Sequence, residues 1–354
     1  PVADSVYPCV GFNPLRHNRT MFRVRAFRNR IAVEFSHILT DGKGALEYLR
    51  ALLTEYFRLG GIDIPDDGTI MRVDQSPHPE ESEDAYNRHF IFGAPPADGN
   101  KPAFHVPSLP LLPGQHRIMT ATASLASVLA LAKSHGATLT EFAAACLLAS
   151  LQDIYDGTSR PFRRKSRIVV DIPIDLRRFF PSRTMRNFIL LIGPWIDMRL
   201  GHYDFPEIVK RVHHYMQNEV HPKPLSIQMA RNVSGVRAVY LRALPLFLKK
   251  YAMRWMYDHF GENTISVGLS NLGPVSMPQP VASKILEFEF IPPVSRWIWT
   301  NLNLVSWGDV LSMTFGSIAA STELERLFFT RLAGMGIELT VRTNMDHGAR
   351  PFQQ

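Results

Sequence analysis

The sequence predicts an α/β protein organised around a large mixed sheet, because apolar runs of strand length alternate along the chain with segments of helical periodicity. Two capping signatures and a tight turn fix where several of these segments begin. Residues 21–37, MFRVRAFRNRIAVEFSH, read as two strands around Arg28-Asn29-Arg30, with Ile31, Val33, Phe35 and His37 alternating against Ala32, Glu34 and Ser36. On that phase His37 shares the buried face. Leu46, Leu49, Leu52, Leu53, Tyr56 and Phe57 follow at helical spacing and stop at Gly60-Gly61, giving strand, tight loop and helix in succession.

Residues 60–115 are rich in Pro, Gly and acidic side chains and show little periodicity, so they read as a surface excursion or connector. The expected division is an N-terminal unit of residues 1–115, with 62–115 as its acidic connecting segment, and a C-terminal unit of residues 116–354. In the second unit, 116–124 reads as a strand and 125–133 and 139–155 as helices, the latter opened by the capping pair Thr138 and Glu141. Strands are expected at 166–174 and 188–196, a helix at 205–220 and a helical stretch at 226–260. Strands at 264–270, 284–291, 297–306 and 310–318 come next. Thr322 with Glu325 marks a last helix, and 337–343 a closing strand.

With 354 residues and 45% hydrophobic content the chain can bury about two domain cores. Its longest uncharged apolar runs, Phe188–Ile196 and Phe142–Leu151, fall well short of the ~18 residues a membrane-spanning helix needs. Cys9 and Cys146 are the only cysteines, too few for a disulfide framework or a multi-cysteine zinc site, and the expected location is the cytoplasm. The net charge of +7 is unevenly placed. Acidic residues dominate 62–98, basic ones dominate 160–186, and the basic run 237–254 sits on a helical pattern as a solvated face. No helix-turn-helix, zinc-finger spacing or aromatic RNA-binding signature accompanies these charges, so nucleic acid is not an expected partner.

His37-Ile38-Leu39-Thr40-Asp41-Gly42 is the segment most suited to chemistry. An imidazole titrating near ~6.5 can take a proton from a hydroxyl or amine attacking an acyl carbon. Asp41 can fix the loop by pairing with an arginine, and Gly42 lets the chain turn into the helix. By itself, an H-x-x-x-D spacing also arises by chance around a structural histidine. No other His, Cys or carboxylate stands nearby at ligand spacing, so no metal is expected. Ser270-Asn271-Leu272-Gly273-Pro274 is either a plain strand-exit loop or a source of oxyanion donors through Ser270 or Asn271. Asp175-Leu176-Arg177 reads as an ion pair at a strand end, or as the source of Asp41's arginine. The 160–186 cluster that contains Arg177 is the expected contact for a donor's phosphates. Cys146, inside an apolar helix, reads as a small core residue.

The strand IAVEFSH, the motif His37-x-x-x-Asp41-Gly42 and the helix ALEYLRALLTEYF resemble the active-site segment of the chloramphenicol acetyltransferase-like superfamily. That group includes condensation domains of nonribosomal peptide synthetases, BAHD acyltransferases and wax ester synthases, and the likeness is greatest to bacterial alcohol acetyltransferases. EESEDAY from Glu80, the run Ile172–Arg177 followed by Arg186-Asn187-Phe188, and Ser270–Val275 extend the resemblance over nearly the whole chain. It implies two similar subdomains, each a mixed sheet flanked by helices, with the active-site channel at their interface. It also implies that His37 is the general base of a direct acyl transfer from a thioester. The expected activity is transfer of an acyl group, acetyl above all, from acetyl-CoA or another acyl-CoA to a small alcohol, with no permanently bound cofactor. The alternatives are an amide-forming condensation enzyme, an O-acyltransferase fed by an acyl carrier protein, and a catalytically silent binding member of the fold. Two departures stand out: Ser36 occupies a position where relatives often carry a second His, and the motif comes so early that the start of the first subdomain is expected to lie outside this sequence.

Overall fold

The hairpin forms where the alternation places it. In the computed structural model β2 (Phe22–Phe27) and β3 (Arg30–Phe35) pair antiparallel, with Arg28 at φ 52° in the turn, the left-handed backbone that tight hairpins favour. β1 (Val2–Ala3) adds to β2 in parallel, completing a three-stranded sheet. The structure describes residues 20–91, 101–159, 165–237 and 261–345, together with isolated positions outside those ranges. α1 (Gly42–Leu59) crosses the hairpin, where Phe22, Phe35 and Tyr48 form an aromatic trio with ring centroids 5.3–5.7 Å apart. The connector that follows carries a short helical turn, α2 (Ala85–Arg88).

The second sheet has eight strands: β4 (Arg117–Ser124), β5 (Arg167–Asp175), β6 (Ile189–Ile192), β7 (Trp195–Asp197), β8 (Val267–Pro274), β9 (Thr300–Trp307), β10 (Val310–Ser317) and β11 (Thr340–Thr343). Their order is β11-β4-β10-β9-β8-β5-β6, with β7 also on β5, and it mixes antiparallel pairs with the parallel pairs β9/β8 and β8/β5. α3 (Leu125–Ser134), α4 (Leu139–Gly157), α5 (Phe205–Glu219) and α8 (Glu323–Gly334) contribute to the main core with one face of this sheet. α4 is buried on every side from Glu141 to Gln152, which is why its sequence is apolar almost throughout. The capping box read from Thr138 and Glu141 is present at its start. Ile168, Val170 and Ile172 on β5, Leu269 on β8, Leu304 on β9 and Met313 on β10 all point into that core.

Side chains alternate along a strand, so Asp171, Ser270, Asn303 and Thr314 face the opposite way and make that second face polar. At one end it meets α1: Leu53 packs with Val275, Phe288 and Val305, joined by Leu272 and Phe290. The hairpin helix is therefore docked over the polar face, at the end where its own N-terminus carries the histidine motif.

Four expectations need correction. The run 188–196 is two strands, β6 and β7, broken at Gly193-Pro194, where a Cβ on Gly193 would lie 2.9 Å from Val169 Cγ1. Residues 284–291 form no strand; α7 (Gln279–Ala282) precedes them, and Phe288 is buried, with Ile285 and Phe290 half-buried, in the cluster that α1 joins, while Leu286 is exposed. α6 runs from Pro222 to Arg237, earlier than the predicted stretch, and most of 238–260, with the basic run on it, lies outside the described residues. Finally, Thr322 precedes α8 without a side-chain cap bond, and Glu325, the other half of the expected capping box, is paired instead with Arg117 in a buried ion pair at 2.8 Å. Among the described residues no helix is long and apolar enough to cross a membrane.

Candidate active site

β3 ends at Phe35, before the alternation would carry His37 into the interior. Residues 37–39 instead turn, closed by the Leu39 N–H on the Ser36 carbonyl at 2.9 Å, and this exposes His37 together with Ile38 and Leu39. The expectation that His37 shares the buried face is thus overturned. Tertiary bonds override the strand phase, for residues 37–41 are tied to a segment about 150 positions downstream. The Thr40 hydroxyl donates to the Met185 carbonyl at 2.7 Å, and the Asn187 amide donates to the His37 carbonyl at 2.6 Å. The His37 ring Nδ1 lies 2.9 Å from Asn187 Oδ1.

Asp41 is the anchor of this arrangement. One carboxylate oxygen caps α1 by accepting from the Gly44 N–H at 3.1 Å. The other accepts from Arg177 Nη1 at 2.9 Å and from the Phe188 N–H at 3.0 Å, so the buried charge is fully partnered. Arg177 also donates to Asp175, to the Thr184 carbonyl and to the Arg186 carbonyl, and its side chain is 8% exposed. This corrects its expected part in binding a donor: Arg177 is the partner of Asp41 and has been withdrawn from solvent by its own bonds. Within the same basic cluster Arg167 stacks on Trp195 and Lys165 bonds Asn263, whereas Arg160, Arg163 and Arg164 lie outside the described residues.

Gly42 also plays a different part from the one expected. Its backbone is not in the left-handed region, and a Cβ there would make only ordinary contacts with Leu272 and Phe290 at 3.4 and 3.5 Å. The position that demands glycine is Gly44, where a Cβ would overlap the Thr40 hydroxyl and approach the Met185 carbonyl to 2.7 Å. Gly44→Ala is expected to cost about 1–3 kcal/mol in a denaturant titration, and Gly42→Ala less than about 1 kcal/mol. The reverse order would contradict this packing.

The two oxyanion candidates separate. Asn271 donates to the Thr140 hydroxyl at 3.0 Å and accepts from the Gly273 N–H at 2.9 Å, with Gly273 at φ 80°, so its amide holds the turn and binds α4 on the core side. The oxyanion role expected of Asn271 is corrected to a turn-forming one. Ser270 alternates to the polar face, the side on which Leu272 reaches Gly42 and α1. Its hydroxyl has no hydrogen-bond partner among the described residues.

Asp171, a carboxylate without an assigned role in the sequence, occupies that same face of β5, about 13 Å along the strand from Asp175. Its one signal was a carboxylate inside the apolar run IVVDIPI. It is half-buried by surface yet closely surrounded by protein, and burial pushes its carboxyl up to about 7 from 3.8. A carboxyl whose folded pKa is raised stabilises the fold only while protonated, so the contribution is complete below about 4 and is lost as pH rises through 7. Asp171→Asn is therefore expected to raise the melting temperature at pH 8 and to match the parent at pH 4. An equal effect at both pH values would exclude the linkage. Elsewhere Cys146 is fully buried, with burial pushing its thiol up to about 12, as befits a core residue.

The sequence matches no protein-family model and no curated protein. Solved structures do share the architecture. Polyketide synthase associated protein 5 from Mycobacterium tuberculosis superposes with a TM-score of 0.54 over 88% of this chain and 76% of its own, at 13% identity. The nonribosomal peptide synthetase FmoA3, in its AMPPNP-bound form, does so with a TM-score of 0.52 over 89% of this chain and 32% of its own, at 14% identity. A structure describing condensation domain-mediated chain release from the enacyloxin polyketide synthase matches over 95% of this chain and 63% of its own, at 15% identity and a TM-score of 0.46. The chain thus spans less than two thirds of that protein and about a third of FmoA3. At these identities the likeness establishes the fold alone, a mixed α/β architecture shared with polyketide synthase associated protein 5 and with part of FmoA3.

Proposed function

We propose that the chain is an acyltransferase in which His37 removes the proton from an acceptor hydroxyl as its oxygen attacks a thioester carbonyl. A tetrahedral oxyanion forms, steadied by the Ser270 hydroxyl; the carbon–sulfur bond then breaks, and the leaving thiolate takes the proton from the imidazolium. The observation that carries this reading is the placement of His37. Its imidazole stands exposed on a turn held by the buried Asp41–Arg177 pair, at the end of the sheet whose polar face presents Ser270. The fold shared with polyketide synthase associated protein 5 and with a nonribosomal peptide synthetase supports acyl-group chemistry.

The donor in this reading is an acyl-CoA, acetyl-CoA first, and the acceptor a small alcohol; nothing need remain bound between turnovers. With Arg177 engaged, Arg178, Arg183 and Arg186 are exposed among the described residues of the predicted cluster and are suited to the donor's phosphates. A carrier-protein donor and an amine acceptor form the second reading, favoured by the likeness to FmoA3. Mass spectrometry of products from acetyl-CoA, longer acyl-CoAs and an acylated carrier protein, each with a panel of alcohols and amines, tests both. Esters from a CoA donor are expected. Amides alone, or products from the carrier donor alone, would replace the first reading by the second, and no product from any pair would leave a binding role.

A further inference from the structure

We propose that Asn187 is a positioning residue that holds the His37 imidazole in its Nδ1–H tautomer and so reserves Nε2 as the base. The inference rests on the reading of His37 as a general base, but its central claim concerns the ring alone.

The argument follows from what each atom is able to do. The His37 carbonyl oxygen can only accept, so the atom of Asn187 that lies 2.6 Å from it is the amide nitrogen. The amide is planar, so this contact fixes the direction of its other arm, and Oδ1 faces the ring at 2.9 Å from Nδ1. Oδ1 also can only accept, and Nδ1 must therefore carry the hydrogen. In a neutral imidazole the second nitrogen, Nε2, is then left with its lone pair available. Flipping the amide gives no alternative, because it would set Oδ1 against a carbonyl oxygen and the NH2 group against the ring, losing the first bond outright.

One side chain thus grips the backbone and the ring of His37 together and restrains the ring's rotation. The grip is itself supported. Phe188 donates its N–H to Asp41, the Arg186 carbonyl accepts from Arg177, and the Met185 carbonyl accepts from Thr40, so the residues on both sides of Asn187 are bonded to the motif or to its arginine. Both Asp41 oxygens are occupied by Gly44, Arg177 and Phe188, so orientation of the ring falls to the neutral amide and not to the motif's carboxylate.

The test reads the ring directly. Nitrogen-15 NMR of the histidine-labelled chain, with the His37 signal assigned by its loss in His37→Ala, is expected to show protonated Nδ1 and unprotonated Nε2 in the neutral form. Free histidine in water favours the opposite tautomer, so an Nε2–H signal would overturn the inference whatever the activity. Asn187→Leu is expected to release the ring to the Nε2–H form and to lower turnover at least about tenfold, with KM for the donor little changed and the melting temperature near that of the parent. Asn187→Asp gives up the donor to the His37 carbonyl but keeps an acceptor for Nδ1, so it is expected to retain the Nδ1–H signature while loosening the backbone grip. If Asn187→Leu does not fold, the parent spectrum and Asn187→Asp still decide the matter. An Nδ1–H ring in a chain that acylates nothing would remove the proposed function and leave this assignment standing.

Discussion

Replacing His37 by Ala is expected to lower acyl-transfer turnover by a factor on the order of 10² or more, the usual worth of a positioned general base. The melting temperature should stay at the parent value. His37 is exposed on a turn, so removing its ring opens no cavity, and among the described residues the side-chain bond lost is the one to Asn187. The backbone contact from Asn187 to the His37 carbonyl and the Asp41 anchor both survive the change. This combination, a large kinetic loss with an intact fold, separates a base from a structural histidine. Product formation and thermal unfolding measured on one preparation check it, and turnover equal to that of the parent would leave the motif without a catalytic role.

What was legible in the sequence was whatever local periodicity alone determines. The hairpin strands, α1, the capping box of α4 and the alternation on β5, β9 and β10 all record a face buried by neighbours a few residues away in pattern. The misreadings share a cause. Lys284–Ile291 has strand-like apolar content, but Phe288 is buried and Phe290 half-buried in the cluster that α1 joins, and burial by a helix leaves no different mark from burial in a sheet. His37 continues the phase of Ile31, Val33 and Phe35 in sequence, yet the ladder has already ended and bonds from Asn187 decide its position. Glu325 stands at capping distance from Thr322 but serves Arg117, which comes from a distant strand. The Asp41–Arg177 pair spans 136 positions and the His37–Asn187 clamp 150, separations over which no periodicity operates. Arg186-Asn187-Phe188 was visible as part of a resemblance; the role of its middle residue was not, because only the folded chain shows which amide atom meets the histidine.

Asp41→Ala is expected to cause the largest loss of stability of any single change in the motif, about 3–5 kcal/mol, with a fall in melting temperature of about 4–7 °C for a chain of 354 residues. Three effects combine, and they overlap rather than add because they act on one cluster. The guanidinium of Arg177, 8% exposed, loses its buried counter-charge and keeps only Asp175. The Phe188 N–H is left without its acceptor in a buried setting. α1 loses the cap on its Gly44 N–H, a term typically worth ~1 kcal/mol. Asp41→Asn removes the charge but keeps an oxygen for the cap, so it should cost less than the alanine. The pair itself can be isolated by adding Arg177→Met to Asp41→Ala: with no stranded cation left, the double variant should recover part of what the single one lost. Chemical denaturation of the parent, the three single variants and the double variant completes the comparison. If Asp41→Ala unfolds at the parent's midpoint, or if Arg177→Met worsens it by its full separate amount, the anchor assigned to this pair is wrong, and the position of His37 must depend on the Asn187 and Thr40 contacts alone.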